Sequence, residues 1–227
     1  MSAGLRLVIF DVDGTLVDSQ ADILAAMQTA FASLKAPLPA RADVLGGVGL
    51  SLDVLMQRLL PDGDAADHAH LVEAYKQAYV DLRAQAGAAT SSPLYPGARA
   101  VLEQLHAIPD VILGVATGKS KRGLDLLIEG HGLQGVFATQ QVADFHPSKP
   151  HPSMILAAMQ EIGVDAQDTV MVGDTSFDMS MAAAAGVTGI GVEWGYHAAT
   201  ALTQAHHILP NFAALPPVLK SLWSELS

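Results

Sequence analysis

The chain contains no cysteine, so it has neither a disulfide framework nor a thiolate metal site. This composition suits a reducing compartment, and we expect a cytoplasmic protein. Basic residues are also few: 12 Lys and Arg stand against 23 Asp and Glu, giving a formal net charge of −11. Because nonspecific nucleic-acid binding depends on Lys and Arg that neutralise phosphates, we expect no nucleic-acid partner. A ligand that carries phosphate must be bound by a local site.

Long hydrophobic runs are absent as well. No segment approaches the ~20 strongly apolar residues that a transmembrane helix needs. The nearest candidate, residues 179–192, consists mostly of Ala, Gly and Val, and we interpret it as a helix followed by a buried strand. The apolar stretch at residues 5–10 is interrupted by Arg6 and is too short for a signal peptide. We therefore expect no membrane association.

Half of the residues are apolar, which is enough for a sizeable core. Short aliphatic or β-branched runs predict strands at residues 5–10, 111–116, 169–172 and 188–192. Helical patterns lie between them, for example at residues 123–131 and 152–162. Strands that alternate with helices indicate βαβ units and a parallel sheet covered on both faces. The expected fold class is therefore α/β.

Residues 19–92 have a different pattern. Apolar residues recur at helical spacing within residues 23–34, within 52–60 after a plausible cap at Ser51, and within 71–82. No convincing strand occurs there. We predict a core formed by residues 1–18 and 93–227, and a helical cap domain formed by residues 19–92.

The stretch "FDVDGTLVDS" places Asp11 and Asp13 directly after the first predicted strand. Residues two apart in an extended chain point the same way, so both carboxylates can face one crevice at the carboxyl end of the sheet. Asp and Gly are also ordinary turn formers, which is the purely structural interpretation. Two adjacent carboxylates repel, and oxygen ligands without a nearby His suit a hard cation such as Mg²⁺.

Three further motifs follow predicted strands or stiff turns. "VATGKS" offers the Thr117 hydroxyl and the Gly118 amide, which are suited to phosphate oxygens. "HPSKPHP" holds Lys149 between prolines, and "VMVGDTSFDMSMA" places Asp174 and Asp178 after another buried strand. Taken singly, each has a structural alternative: a helix start, a solvated lysine and a helix cap.

The order of these motifs, Asp-x-Asp-Gly-Thr, Thr-Gly, Lys-Pro and Gly-Asp-x-x-x-Asp, resembles the haloacid dehalogenase superfamily of phosphohydrolases over essentially the whole chain. "TGKSKRGLD" and "SKPHPSM" look most like its phosphoglycolate phosphatase branch. The resemblance implies a Rossmann-like parallel-sheet core with an inserted helical cap. Related dehalogenases lack a second acid at the position of Asp13, so its presence favours a phosphatase.

The resemblance also implies residue roles. Asp11 would be the nucleophile that forms an aspartyl-phosphate, and Asp13 the general acid and then the general base. Mg²⁺ would bind the Asp11 and Asp174 carboxylates and the main-chain carbonyl of Asp13. Asp178 would not bind the ion directly but would orient its ligands or Lys149. The groups that would hold the phosphoryl oxygens are Thr117, Gly118 and Lys149.

Substrate choice would fall to the cap. The glycine-rich stretch "LGGVGLS" at residues 45–51 resembles the family's specificity loop, with Gly47 as a candidate substrate-binding residue; a flexible turn between helices is the alternative. We expect a Mg²⁺-dependent phosphatase for a small phosphorylated metabolite, with 2-phosphoglycolate as the leading candidate. The alternatives are a sugar-phosphate phosphatase, a phosphomutase, a pyrophosphatase or a catalytically idle binding protein. We expect a monomer or a homodimer.

Overall fold

A computed structural model describes residues 4–224 of the chain. Within these residues six strands form one sheet in the order β3-β2-β1-β4-β5-β6, and every neighbouring pair is parallel. The strands are β1 Arg6–Phe10, β2 Val111–Thr117, β3 Thr139–Val142, β4 Thr169–Gly173, β5 Thr188–Val192 and β6 His207–Leu209. This sheet confirms the predicted α/β fold class.

Helices cover both faces of the sheet and fill the long connection after β1. They are α1 Gln20–Ser33, α2 Arg41–Leu45, α3 Leu52–Leu59, α4 Ala65–Ala86, α5 Ala88–Ser91, α6 Ala98–His106, α7 Lys121–Gly130, α8 Ser153–Ile162, α9 Ser176–Ala185 and α10 Leu215–Ser224. Short 3-10 helices occur at Ala143–Phe145, Ala166–Asp168, Ala199–Ala201 and Phe212–Ala214. No helix within residues 4–224 is long and apolar enough to cross a membrane.

The central strand β1 is buried on both faces, as its continuous apolar sequence predicts. Val8 and Phe10 belong to the apolar cluster that includes residues of α6, α7 and α10. Leu7 and Ile9 belong to the opposite cluster, with α8 and α9. The period-2 alternation of a strand therefore anchors β1 between two helical layers, and its carboxyl end is fixed where Asp11 begins.

The edge strands β3 and β6 are absent from the sequence prediction. β3 has the sequence TQQV, and its two glutamines are only partly buried. β6 has three residues, two of them exposed. An edge strand pairs on one side only, so it needs no continuous apolar run, and hydrophobicity gives little signal for it.

The connection from β1 to α6 is helical, and the apolar residues of α1, α3 and α4 form a cluster of their own. Ser51 does precede α3, but its side chain makes no capping hydrogen bond within the described chain. Its backbone N–H donates instead to the Ser148 hydroxyl of the core, at 2.8 Å. The predicted cap position of Ser51 is therefore confirmed, but its side chain does not cap the helix, and its backbone N–H contacts the core instead.

Candidate active site

The site lies at the carboxyl edge of the sheet, where neighbouring parallel strands end together. Asp11 follows β1, and its backbone N–H still donates to Val172 of β4 at 2.9 Å. Thr117 is the last residue of β2, and Asp174 follows β4. The structure therefore brings side chains separated by up to 163 positions in the sequence to one edge of the sheet.

Lys149 reaches this edge from the turn before α8, and its side chain is fully enclosed. Its ammonium lies 2.9 Å from Asp11 Oδ1 and 2.7 Å from Asp178 Oδ1. All three side chains are at most 1% exposed. A solvated lysine, the structural alternative for this residue, is excluded by this burial.

The charges in this buried group control its proton affinities. Burial raises the pKa of Asp11 to about 7, although the neighbouring Lys149 ammonium acts in the opposite direction. Burial alone would lower the pKa of Lys149, but the carboxylates of Asp11 and Asp178 raise it overall. Lys149 therefore stays cationic, and its charge favours the ionised form of the nucleophile candidate.

Asp174 is held in a fixed orientation by two donors. Thr15 Oγ1 donates to its Oδ1 at 2.8 Å, and the backbone N–H of Tyr196 donates to its Oδ2 at 2.8 Å. Gly14 passes so close that a Cβ there would lie 2.2 Å from Asp174 Oδ2, and its φ of +85° also requires glycine. Burial, followed by the charges of Asp178 and Asp11, raises the pKa of Asp174 well above its usual value.

The acidic groups fit a divalent cation. One carboxylate oxygen from each of Asp11, Asp174 and Asp178 lies within 4.8 Å of the others, and all three residues are buried. Three carboxylates face the single charge of Lys149, and Asp11 Oδ2 has no hydrogen-bond partner among residues 4–224. An orphaned buried oxygen with excess negative charge around it is what a hard cation would satisfy. The residues therefore fit Mg²⁺.

Asp178 differs from the other two because its oxygens already have donors. Lys149 Nζ donates to Oδ1, and Thr175 donates to Oδ2 from its backbone N–H at 3.0 Å and its hydroxyl at 2.7 Å. This capping box starts α9 and fixes the carboxylate. The arrangement suits the predicted orienting role better than direct metal binding.

Asp13 lies in a separate electrostatic environment. Lys119 Nζ donates to both of its oxygens at 2.7 Å, and the Ser19 hydroxyl donates to Oδ1. Burial acts to raise the pKa of Asp13, but the Lys119 ammonium outweighs it and the pKa is lowered. The lowered pKa favours the ionised form of the Asp13 carboxylate. Asp13 also lines the adjoining cavity, so a molecule bound there can reach it.

Thr117 and Gly118 lie where the core meets the loop after α2. The Thr117 hydroxyl accepts a hydrogen bond from the Lys119 backbone N–H at 3.2 Å. A Cβ on Gly118 would lie 2.7 Å from the carbonyl oxygens of both Gly49 and Leu50. Glycine at this position therefore permits the close approach of the two chain segments.

Gly47 does not take part in this contact. A Cβ there would lie 2.4 Å from Leu55 Cδ1, within the helical segment. The residues of the loop that line the cavity are Val48, Gly49 and Leu50. The glycine-rich loop does reach the core as expected, but Gly49 lines the cavity and Gly47 does not. The reason is that α2 ends at Leu45, and the chain then places Gly47 against Leu55 of α3.

A cavity of about 340 Å³ lies between α3, α4 and the loop after β2. Asp13, Thr117 and Gly118 form part of its wall on the core side. The opposite wall includes Tyr75 and Tyr79, whose rings stack with centroids 5.8 Å apart. A small molecule in this cavity would therefore contact both the sheet edge and the helical segment.

Several residues of the site are missing from the sequence prediction. Lys119 directly follows the Thr-Gly pair, but one sequence does not show which carboxylate it meets. Ser19 stands beside an acidic motif and gives no separate signal. Arg83 also lines the cavity, and the sequence does contain a signal for it. It follows Tyr79 by four residues and so lies on the buried face of α4, where a charged residue is unusual.

Comparisons with known proteins agree with this architecture. The sequence model of the haloacid dehalogenase-like hydrolase family matches residues 8–192. A relative named "Probable phosphatase IndB" from Dickeya dadantii (strain 3937) is 36% identical over 224 residues, covering 97% of this chain and 91% of its own. A phosphoglycolate phosphatase from Yersinia pestis is 31% identical over 218 residues, covering 95% and 93%.

Among solved structures, a predicted phosphoglycolate phosphatase from Haemophilus somnus 129pt superposes with a TM-score of 0.83 at 24% identity. The match covers 96% of this chain and 99% of that one, and it shows likeness of fold. The predicted enzyme class is thus confirmed as a hydrolase, and the names of the relatives agree with a phosphoric monoester hydrolase. The chain belongs to the haloacid dehalogenase-like hydrolase family.

Proposed function

We propose that the protein is a Mg²⁺-dependent phosphatase that hydrolyses a small phosphate monoester through an aspartyl-phosphate at Asp11. The observation that carries this proposal is the state of Asp11. Its carboxylate is buried beside Lys149, and its Oδ2 has no hydrogen-bond partner in residues 4–224. A carboxylate oxygen without a hydrogen-bond partner is free to form a bond to phosphorus, and Asp11 is two residues from Asp13, which lines the cavity.

In the first half-reaction, an Asp11 oxygen forms a bond to phosphorus while the bond from phosphorus to the ester oxygen breaks. Asp13, which carries the proton taken from water in the preceding turnover, gives it to the departing alkoxide. In the second half-reaction, Asp13 takes a proton from water, and the hydroxide attacks phosphorus. Inorganic phosphate leaves and the Asp11 carboxylate is restored, so atoms and charge balance over the cycle.

The charges and donors around Asp11 would stabilise the transferring group. Lys149 is held against Asp11, so its charge faces an incoming phosphoryl group, and the Thr117 hydroxyl and Gly118 amide are assigned to its oxygens. Mg²⁺ would be held by the Asp11 and Asp174 carboxylates and the main-chain carbonyl of Asp13. When bound, it would add positive charge beside the phosphoryl oxygens.

We also propose that residues 19–92 act as a cap domain over this crevice. The chain crosses between the two parts where Asp18 N–H donates to the Pro93 carbonyl and Tyr95 N–H donates to the Leu16 carbonyl, each at 2.9 Å. This pairing supports boundaries near 18/19 and 92/93. Relatives named as phosphoglycolate phosphatases support a small phosphorylated substrate. The cytoplasmic location and the monomer or homodimer remain predictions.

The test replaces the nucleophile without changing its shape. Asp11→Asn should lower kcat for 4-nitrophenyl phosphate by about 10⁴-fold or more, since the covalent route is lost. Chelation should stop the wild-type reaction, Mg²⁺ should restore it, and Ca²⁺ should substitute poorly because it favours higher coordination. Asp62→Asn, at an exposed position of the cap, is the matched control. Retained turnover in Asp11→Asn, with the fold intact by circular dichroism, would refute the proposal.

A further inference from the structure

The side chain of Arg83, on α4, is a buried cation. It is only 6% exposed, and it has no carboxylate within ion-pair distance among the described residues. Its guanidinium donates to neutral acceptors at 3.2–3.4 Å: the Gly123 carbonyl and the hydroxyls of Tyr79 and Ser92. Its buried Nε has no partner at all in residues 4–224. Such a group is costly unless something else binds it.

An acid that Arg83 reaches through one intervening residue does not pair with it directly. Asp22 is separated from Arg83 by the Ser92 hydroxyl, which receives a hydrogen bond from Arg83 and donates to Asp22 Oδ2 at 3.3 Å. All of these bonds are long for hydrogen bonds to or from charged groups, which are typically ~2.7–2.9 Å. Arg83 is therefore incompletely satisfied by the protein.

Lys119 lines the same cavity as Arg83 but belongs to its core-side wall, and both cations lie beside the Tyr79 ring. Its ammonium is 4.9 Å from the centroid of the Tyr79 ring, and the Arg83 guanidinium carbon is 4.8 Å from the same centroid. Both cations also donate to the Tyr79 hydroxyl. The one carboxylate within ion-pair distance of Lys119, among residues 4–224, is Asp13, which the proposed reaction uses for proton transfer.

The rest of the cavity wall adds no free negative charge near this pair. Glu73 is at its exposed edge and is bonded to Lys76 at 3.0 Å. Asp144, also exposed, accepts the Lys121 backbone N–H at 2.7 Å. Arg83 is buried and Lys119 nearly so, and among the described residues the two cations have one carboxylate, Asp13, within ion-pair distance, so the cavity wall beside them has more cationic than anionic groups.

Next to the cations the wall is apolar. Ile23, Leu52, Leu55, Val80 and Leu126 line it together with the stacked Tyr75 ring. The cavity volume of about 340 Å³ lies within the ~300–1,000 Å³ range of small-molecule sites. A two-carbon alcohol would fill only part of this volume. The cavity therefore combines an anion-binding end with room for an apolar body.

We propose that the leaving group of the substrate carries an anionic group, bound by Arg83 and Lys119, on an apolar or aromatic body that fills the cavity beside Tyr75. This inference rests on the proposed phosphatase function and adds the substrate class. A carboxylate or a second phosphate would supply the same chemistry at Arg83. Arg83 is then a specificity residue contributed by the cap, and its missing partner is the substrate.

The alternative role of Arg83 is to attach α4 to the core through the Gly123 carbonyl. In that case, replacement of Arg83 would lower kcat/KM by the same factor for every substrate. A substrate-dependent readout separates the two roles, because only an anion-binding residue changes the preference between matched charged and uncharged esters.

The experiment compares benzyl phosphate with its para-carboxylate, 4-(phosphooxymethyl)benzoate, and with the corresponding para-phosphonate. Wild-type kcat/KM should be at least ~10-fold higher for one of the charged esters than for benzyl phosphate, consistent with a hydrogen bond to a charged group. Which charged ester is preferred identifies the anion as carboxylate or phosphate. The preferred charged ester should also have a higher kcat/KM than 2-phosphoglycolate, which lacks the apolar body.

Arg83→Gln should reduce the preference for the charged ester by ~10-fold or more, and Arg83→Lys should restore part of it. Arg58→Gln, an exposed arginine of α3 outside the cavity, should leave the preference unchanged. If Arg83→Gln does not fold, product inhibition of the wild type gives the answer: 4-(hydroxymethyl)benzoate should inhibit at lower concentration than benzyl alcohol.

Equal wild-type kcat/KM for charged and uncharged esters would overturn the inference while the phosphatase proposal stands. An equal loss for all esters in Arg83→Gln would assign Arg83 to attachment of the cap and overturn it too. A higher kcat/KM for 2-phosphoglycolate than for both charged benzyl esters would overturn the inference that an apolar body is bound. Failure of the wild type to hydrolyse any ester would instead contradict the proposed function itself.

Discussion

The site contains two lysine–aspartate pairs that differ in what surrounds them. Lys149 and Asp11 are fully buried, and a second carboxylate, Asp178, lies 2.7 Å from the same ammonium. Lys119 and Asp13 lie at the boundary with the helical segment that we propose to be a cap, where Tyr79 of α4 contacts the same lysine. Their side chains keep 9% and 12% exposure, against 0% and 1% for the inner pair.

This difference matches the two roles that we propose for the aspartates. A nucleophile must be held in one position, and a pair built from the core alone is fixed whether or not the cap is near. A residue that exchanges protons with the leaving group and with water must be reachable from the cavity. The inner pair and its neighbour Asp178 therefore come from the predicted core alone, whereas the outer pair also contacts Tyr79 of α4.

The largest effect is expected when the inner lysine is removed. Lys149→Met would leave Asp11 and Asp178 buried without their cation, which costs about 3–5 kcal/mol of unfolding free energy when one partner of a buried pair is lost. Urea denaturation in the presence of a chelator measures this, and kcat should fall by ~10³-fold or more.

Lys121→Met is the matched control, because the Lys121–Asp125 pair is exposed on α7 and such pairs contribute about 0–1 kcal/mol. A Lys149→Met protein as stable as this control would show that the inner pair is not held as the geometry indicates.

A smaller effect is expected at the outer pair. Lys119→Met leaves Asp13 with the Ser19 hydroxyl as a donor, so the loss should be about 1–3 kcal/mol in stability. As a positioning residue for Asp13, Lys119 should affect kcat by ~10–100-fold. If Lys119 served only the structure, stability would fall and kcat for a neutral aryl ester would not.

The smallest effect is expected at the contact between cap and core. Gly118→Ala places a Cβ 2.7 Å from the carbonyl oxygens of Gly49 and Leu50, so the loop after α2 must move away. We expect KM to rise by about 10-fold, because the displaced loop lines the cavity and its substrate contacts are misplaced. The unfolding midpoint should change little, because the displacement is confined to this loop. Steady-state kinetics and thermal unfolding check this.

Gly4→Ala is the control for Gly118→Ala, since a Cβ at Gly4 would meet nothing within 4 Å. An unchanged KM in Gly118→Ala would mean that the approach of the loop to Gly118 has no part in substrate binding.

The sequence predicted the inner pair's surroundings better than the outer pair's. Asp11, Thr117 and Asp174 end or follow apolar strands, and parallel strands finish at one edge, so their convergence follows from local patterns and a simple topology rule. Arg83 and Tyr79 could not be placed in the same way. Their position depends on how α4 packs over the core, which no local periodicity specifies.

The same reasoning explains the missed strands. β1, β2, β4 and β5 are apolar because helices cover them, and this burial is visible in the sequence. β3 contains Gln140 and Gln141, whose side chains are only partly buried at the edge of the sheet. Edge position, like the position of the cap, is a property of the assembled fold.

The most direct measurement is the chemical state of Asp11 during turnover. Enzyme quenched in acid while hydrolysing an excess of 4-nitrophenyl phosphate, then digested and analysed by mass spectrometry, should carry a phosphoryl group on the peptide that contains Asp11. The same peptide from Asp11→Asn should carry none. Steady hydrolysis by the wild type, with the phosphoryl group on another residue or with none trapped at Asp11 even when water attack is slowed by Asp13→Asn, would contradict the account.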